Sequence, residues 1–237
     1  MMSGCLRIPV TPDYAFAMRR LFIALLCLSA CAAAAPKPHV ILFGKWMPVK
    51  FFAGPNEEKG IDMKIRSLLV DGRLREFTTG DPHDVTERLF VVRRAYRLND
   101  WLPQDEGTAH KWKWQRGGWL LVDRDTGRVS QLNLPLFDPF YSAASWYRDY
   151  AAYCGLSDDG EKLYAVVAQL ARTKPLLRRD LGPVKQFDLP DAPCAVPVWQ
   201  RQPARVSFEP TGGQKVTFTI RSHAVDLAAG NEAEEEK

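Results

Sequence analysis

Histidine is scarce in this chain. Four stand among 237 residues, His39, His83, His110 and His223, each far from the next. Zinc hydrolases need two histidines on one helical face with a carboxylate nearby, so that chemistry has no ligand set here. A Gly-x-Ser-x-Gly pentapeptide is also missing, which excludes the common serine-hydrolase elbow. The nearest stretch, Gly155-Leu156-Ser157-Asp158-Asp159-Gly160, is one residue too long and reads as a hairpin. Phosphate loops, glycine-rich dinucleotide turns and Cys-x-x-Cys pairs are absent too. Neither sign of charge dominates: 32 Lys and Arg are interleaved with 28 Asp and Glu, and no clustered basic face for nucleic acid results. The one sustained apolar run, Leu21 to Ala35, is 15 residues long, short of the about 20 that a membrane-crossing helix requires.

That run is informative in another way. Arg19 and Arg20 precede it, it ends in alanines, and Ala32 with Ala34 satisfies the small-x-small pattern of a signal-peptidase site. The pattern predicts export, with residues 1–35 as a signal peptide and a cut after Ala34. Pro9, Pro12, Asp13 and Tyr14 do not suit a charged leader, so Met18 is the better start. Leu28-Ser29-Ala30-Cys31 resembles the lipobox of bacterial lipoproteins. That resemblance implies lipidation of Cys31 and a membrane anchor; the alternative is a cysteine that merely sits in an apolar run, as Cys27 does. The expected location is extracytoplasmic, either periplasmic or secreted, or on the membrane as a lipoprotein.

Three arginines and one aspartate fall in residues 1–35, leaving a net charge of +2 for the rest. About 200 residues rich in Trp, Phe and Tyr are enough for a sizeable core, and residues 36–230 read as a single all-β domain. Asn231 to Lys237 carries four glutamates and no apolar anchor, the composition of a disordered tail. Of five cysteines only Cys154 and Cys194 lie outside the leader. An oxidising compartment would join them, closing a loop of about 40 residues and stabilising by about 3–4 kcal/mol on the chain-entropy model. Two separate buried thiols are the other possibility.

The body reads as strands and turns. Val206 to Glu209 and Val216 to Arg221 alternate apolar and polar residues around Pro210-Thr211-Gly212-Gly213, a hairpin. Arg88 to Val92 and Leu163 to Val167 are short continuous apolar runs, suited to strands covered on both faces. Trp119 to Val122 passes through Asp123-Arg124-Asp125-Thr126-Gly127 into Arg128 to Leu132, and Tyr150 to Cys154 passes through Ser157 to Lys162 into Leu163. Residues 117–170 resemble β-propeller blade hairpins, the second turn being similar to that of Tol-type repeats. No third copy follows at regular spacing. The expected fold is an all-β antiparallel meander, partly propeller-like or an irregular β-sandwich, with a short helical turn within Tyr141 to Tyr153 before a strand.

Candidate chemistry is sparse. Asp81-Pro82-His83-Asp84 sets an imidazole beside carboxylates, though its proline and Gly80 mark a solvated loop. Asp123 and Asp125 offer oxygens to calcium but lack the third acid and distal glutamate of a calcium loop. Neither pattern specifies a metal, and no cofactor is implied. Aromatics carry more. Strand geometry puts Trp112 and Trp114 on one face with Lys111 and Lys113 opposite. Phe137, Phe140, Tyr141, Trp146, Tyr147, Tyr150 and Tyr153 crowd into seventeen positions. Such rings are either core or a surface for stacking on sugars or anchoring a partner; Tyr141, Trp146, Tyr147, Arg148 and Asp149 are the candidate ligand-binding residues. The chain as a whole is similar to exported bacterial proteins, a resemblance that implies no activity. The expectation is a non-enzymatic protein of the cell envelope that binds or scaffolds an envelope protein or glycan, with no nucleic acid and membrane contact only through Cys31. The competing expectation is a glycan hydrolase using Asp138 and Asp149.

Overall fold

The computed structural model describes residues 38–52, 60–99, 112–184, 193–221 and 224–227. The leader with Cys31, the residues His110, Lys111 and His223, and the tail from Asn231 lie outside the described residues. The described chain is all β. Its strands are β1 (Ile41–Phe43), β2 (Met47–Phe51), β3 (Ile61–Val70), β4 (Arg73–Asp84), β5 (Leu89–Asn99), β6 (Trp112–Asp123), β7 (Val129–Leu132), β8 (Ser145–Tyr147), β9 (Tyr150–Leu156), β10 (Lys162–Gln169), β11 (Leu177–Pro183), β12 (Val198–Gln200), β13 (Arg205–Phe208), β14 (Val216–Arg221) and β15 (Ala224–Leu227). No helix among the described residues is long and apolar enough to cross a membrane.

The first sheet runs β1-β3-β2-β6-β5-β4, with β7 beside β6. Because β3 also pairs with β4, strands β2 to β6 form a ring. Five strands that alternate in direction cannot all be antiparallel around a ring. The closing pair β2–β6 is therefore parallel, made through Phe51↔Trp114 and the Phe52 N–H donating to the Trp114 carbonyl at 3.3 Å. In β3, Met63 and Ile65 are buried while Asp62 and Lys64, alternating with them, are exposed, the period-2 pattern that a one-sided core requires. All five ring strands contribute to one apolar cluster: Val49 and Phe51, Met63 and Ile65, Phe77, Ala95, and Trp114, joined by Phe140 from the segment after β7.

The other two sheets are four-stranded antiparallel meanders, β8 to β11 and β12 to β15. β9 and β10 bury most of their residues, as the continuous apolar run Leu163 to Val167 predicts. One face of that sheet, Ala152, Cys154, Leu163, Ala165 and Val167, packs on Val206, Phe208 and Phe218 of the third sheet. The other face, Ala151, Tyr153, Val166 and Ala168, is covered by Leu134, Leu136, Phe137, Ala144 and Trp146. Cys154 and Cys194 are joined by a disulfide, with Cα atoms 6.2 Å apart, which ties β9 to the segment bridged to Pro210. The result is an irregular stack of sheets; no closed propeller ring forms among the described residues.

Three hairpins stand where the turn chemistry places them. β6–β7 turns at Gly127 with φ of 63°, β9–β10 at Gly160 with φ of 74°, and β13–β14 through Pro210 to Gly213, whose N–H donates to the Pro210 carbonyl at 3.0 Å. Two expectations need correction. The helical turn within Tyr141 to Tyr153 is confined to Asp138–Ser142, closed by the Ser142 N–H on the Asp138 carbonyl at 2.8 Å. From Ser145 onward the chain is already a tight hairpin, β8 pairing with β9 from Ser145↔Ala152 to Tyr147↔Tyr150. Asp81 to Asp84 is the end of strand β4 rather than a loop. The pairing with β5 slips between Thr79 and His83, so Gly80, Asp81 and Pro82 bulge outward and pairing resumes at His83↔Val91.

Candidate functional site

The aromatic segment is built on the β8–β9 hairpin and the turn before it. Asp138 caps that turn: its Oδ1 accepts the N–H of Phe140 at 2.7 Å and of Tyr141 at 3.1 Å. Ser142, buried, donates its hydroxyl to the Cys154 carbonyl at 2.7 Å and pins the turn onto β9. β8 then pairs with β9 from Ser145↔Ala152 to Tyr147↔Tyr150, leaving Arg148 and Asp149 as a two-residue loop. Arg148 has φ of 53°, in the left-handed region that glycine usually fills in such a loop.

Alternation along β8 sends its two large rings to opposite faces. Trp146 meets the first sheet: its ring stacks on His83 of β4, centroids 6.0 Å apart at 24°, and meets Trp119 of β6 edge-on at 5.3 Å. The Nε2–H of His83 donates to the Arg148 carbonyl at 2.8 Å, closing the same contact from the other side. Tyr147 instead lies against Trp199 of β12 at 5.4 Å, with the Arg148 guanidinium over its own ring at 5.4 Å. The Trp199 Nε1–H donates to the Ser145 carbonyl at 3.2 Å, and the Ser145 hydroxyl to Pro197 at 2.6 Å. Asp149 accepts from the Gln169 side chain at 2.8 Å.

Of the five candidate residues, Tyr141 lies in the turn before the hairpin, and the hairpin distributes the large rings of Trp146 and Tyr147 over two contacts. Trp146 joins β8 to the first sheet and Tyr147 joins it to the third; Arg148 alone of the five is exposed at the tip. Phe137 and Tyr153 are core, packed edge-on at 5.2 Å, and burial pushes the Tyr153 hydroxyl well above its usual range while it donates to the Pro135 carbonyl at 2.6 Å. Of the two tryptophans near the start of β6, Trp114 packs edge-on against Phe77 at 5.2 Å, whereas Trp112 is 51% exposed and carries the Arg97 guanidinium over its ring at 4.8 Å.

The carboxylates named as possible ligands are in structural use. Asp123 is held by the Arg88 guanidinium and by the N–H groups of Asp125 and Thr126, at 2.9 and 3.3 Å, which keeps its carboxyl well below the usual range. Asp84 pairs with Arg124 at 2.6 Å and Asp81 with Arg66 at 3.6 Å, so neither orients His83.

Two arginines that the sequence reading passes over prove to be central. Arg93, in β5, donates to the carbonyls of Pro139 at 2.7 Å and Ser142 at 3.2 Å. Arg116, in β6, donates to the Phe140 carbonyl at 2.9 Å and lies 4.5 Å over the Phe51 ring. Together they clamp the Asp138–Ser142 turn onto the first sheet by its carbonyls. Burial, with neighbouring Arg116 adding repulsion, lowers the Arg93 pKa to about 10. Their signal is an arginine inside an apolar strand, Val91-Val92-Arg93-Arg94-Ala95 and Trp114-Gln115-Arg116-Gly117-Gly118-Trp119. Among the described residues no group of three or more His, Cys, Asp or Glu is placed to hold a metal ion. Comparison of the chain with family models, curated proteins and solved structures finds no match.

Proposed function

We propose that this chain is an exported protein of the bacterial cell envelope that binds or scaffolds there without catalysing a reaction. The observation that carries the reading is the Cys154–Cys194 disulfide. Disulfides persist in oxidising compartments and are rare in the cytosol, and the pattern from Met18 to Ala35 supplies the means of export. The mature chain begins at Ala35, or at a diacylated Cys31 if the lipobox is used. Asp138 caps a turn and Asp149 holds Gln169. These structural roles favour binding over the hydrolase alternative, which needs both carboxyls free across a cleft.

The exposed tip of the hairpin, Arg148 beside Tyr147 and Trp199, is the proposed contact surface, since rings next to a cation suit a partner's acidic or aromatic groups. Cross-linking in intact cells, with a photoreactive group placed at position 148, tests the proposal. Capture of an envelope protein or glycan is the expected result. Recovery of the uncleaved chain with cytosolic partners, or turnover of a captured glycan, would overturn it.

A further inference from the structure

β3 and β4 pair from Ile65↔Thr79 to Val70↔Arg73, and β4 then leaves its neighbour at Gly80, where φ is 71°. The edge of β3 from Ile61 to Lys64 that faces β4 is consequently left without a paired strand among the described residues. The Thr79 hydroxyl reaches across to the Lys64 carbonyl at 2.9 Å where the ladder ends. Beyond that bond a cavity of about 360 Å³ opens, with Phe51, Ile61 and Met63 on its apolar side and Lys64, Thr79 and Arg116 on its polar side. That volume lies in the range of small-molecule sites. Asp62 also lines it, already paired with Lys50 at 2.6 Å.

Arg116 is the unusual member. It is half-buried, and cations withdrawn from water are normally paired with a carboxylate; Arg116 has none within ion-pair distance among the described residues. One of its donors goes to the Phe140 carbonyl, and its buried Nε–H has no acceptor. Arg93 close by adds a second positive charge and spends its donors on carbonyls. Asp138, whose charge acts on Arg93, gives Oδ1 to backbone N–H groups. Arg116 therefore brings to this fissure a positive charge that no carboxylate among the described residues pairs.

We infer that the fissure between β3 and β4 binds a small organic monocarboxylate, its carboxylate on Arg116 and its short apolar body against Phe51, Ile61 and Met63. A guanidinium fork matches a carboxylate in geometry and charge, while the Asp62 carboxylate in the lining disfavours a dianion such as phosphate. The inference is independent of the envelope role and stands or falls without it.

Titration of the mature, disulfide-intact protein with hexanoate, and with hexanamide as the neutral control, is the test, followed by calorimetry and by tryptophan fluorescence. A charge-assisted hydrogen bond contributes about 1.5–3 kcal/mol, so hexanamide should bind at least about tenfold more weakly than hexanoate. Arg116→Lys, which keeps the charge but loses the fork, should weaken hexanoate by a similar factor. Ile61→Trp fills the fissure from its partly exposed side and leaves Arg116 in place; it should abolish binding, and it decides the matter if the Arg116 variant does not fold. Equal binding of hexanoate and hexanamide, hexanoate binding that Ile61→Trp leaves unchanged, or no binding up to about 10 mM, corresponding to a free energy weaker than about 3 kcal/mol, would each overturn the inference.

Discussion

Gly155 is fixed by what lies across from it. A Cβ there would come within 2.8 Å of the Leu136 carbonyl oxygen and 2.9 Å of the Leu136 Cβ. That carbonyl is held by the Leu156 N–H at 3.0 Å, and Leu136 already carries a φ of 59°, so the segment cannot easily yield. Gly155→Ala should therefore cost about 1–3 kcal/mol, read as a lower urea midpoint; an unchanged midpoint would show that the segment gives way freely. Asp123 makes a pH-dependent contribution. Its hydrogen bonds from Arg88, above all, hold its folded-state pKa below the ordinary 3.8. The stabilisation is complete above about pH 4 and is lost as pH falls from there toward the folded-state value. The difference in melting temperature between the native chain and Asp123→Asn should be largest at neutral pH and narrow steadily below about pH 4; a difference that stays constant would contradict this. Residues of this kind are legible only in part. The Asp-x-Asp-x-Gly spelling announces a turn, but which arginine closes it depends on Arg88 arriving from 35 positions away.

At the scale of elements, hairpins were the most readable feature because their signals are local. Asp123 to Gly127, Ser157 to Lys162 and Pro210 to Gly213 each name their turn; the sequence reading passes over Asp71-Gly72, a two-residue loop with φ of 52° and 74°. The β8–β9 hairpin was not readable in this way. Arg148 occupies its left-handed position without glycine to mark it, and seven aromatics mask the alternation that separates the two faces. This is why Tyr141 to Asp149 looks like one surface in the sequence, whereas in the fold Trp146 and Tyr147 make two separate contacts. The joint made by Trp146 with His83 and Trp119 has a testable strength. Trp146→Ala removes a half-buried indole between two sheets and should cost about 3 kcal/mol. An unfolding midpoint equal to that of the native chain would place Trp146 outside the joint.

Across the whole molecule, the all-β class and the cysteine pair follow from composition and strand patterning, whereas the order of sheets does not. Ring closure through a single parallel pair, Phe51↔Trp114, joins residues 63 positions apart and leaves no local trace. The same is true of the arginine clamp, which needs β5 and β6 beside the Asp138–Ser142 turn, and of the fissure, which needs β2, β3, β4 and β6 brought together first. The disulfide is the long-range link with a signal in the sequence, being the two cysteines left once the leader is set aside. It fastens β9 of the middle sheet to the segment that leads into the third, and on it rests the proposal that the protein works outside the cytoplasm. The most direct measurement is the intact mass of the protein isolated from cells expressing the full chain, after alkylation without reduction. The expected result is a chain that begins at Ala35 or at a diacylated Cys31 and carries no alkyl adduct. A chain beginning at Met1 or Met18 with Cys154 and Cys194 both alkylated would contradict it.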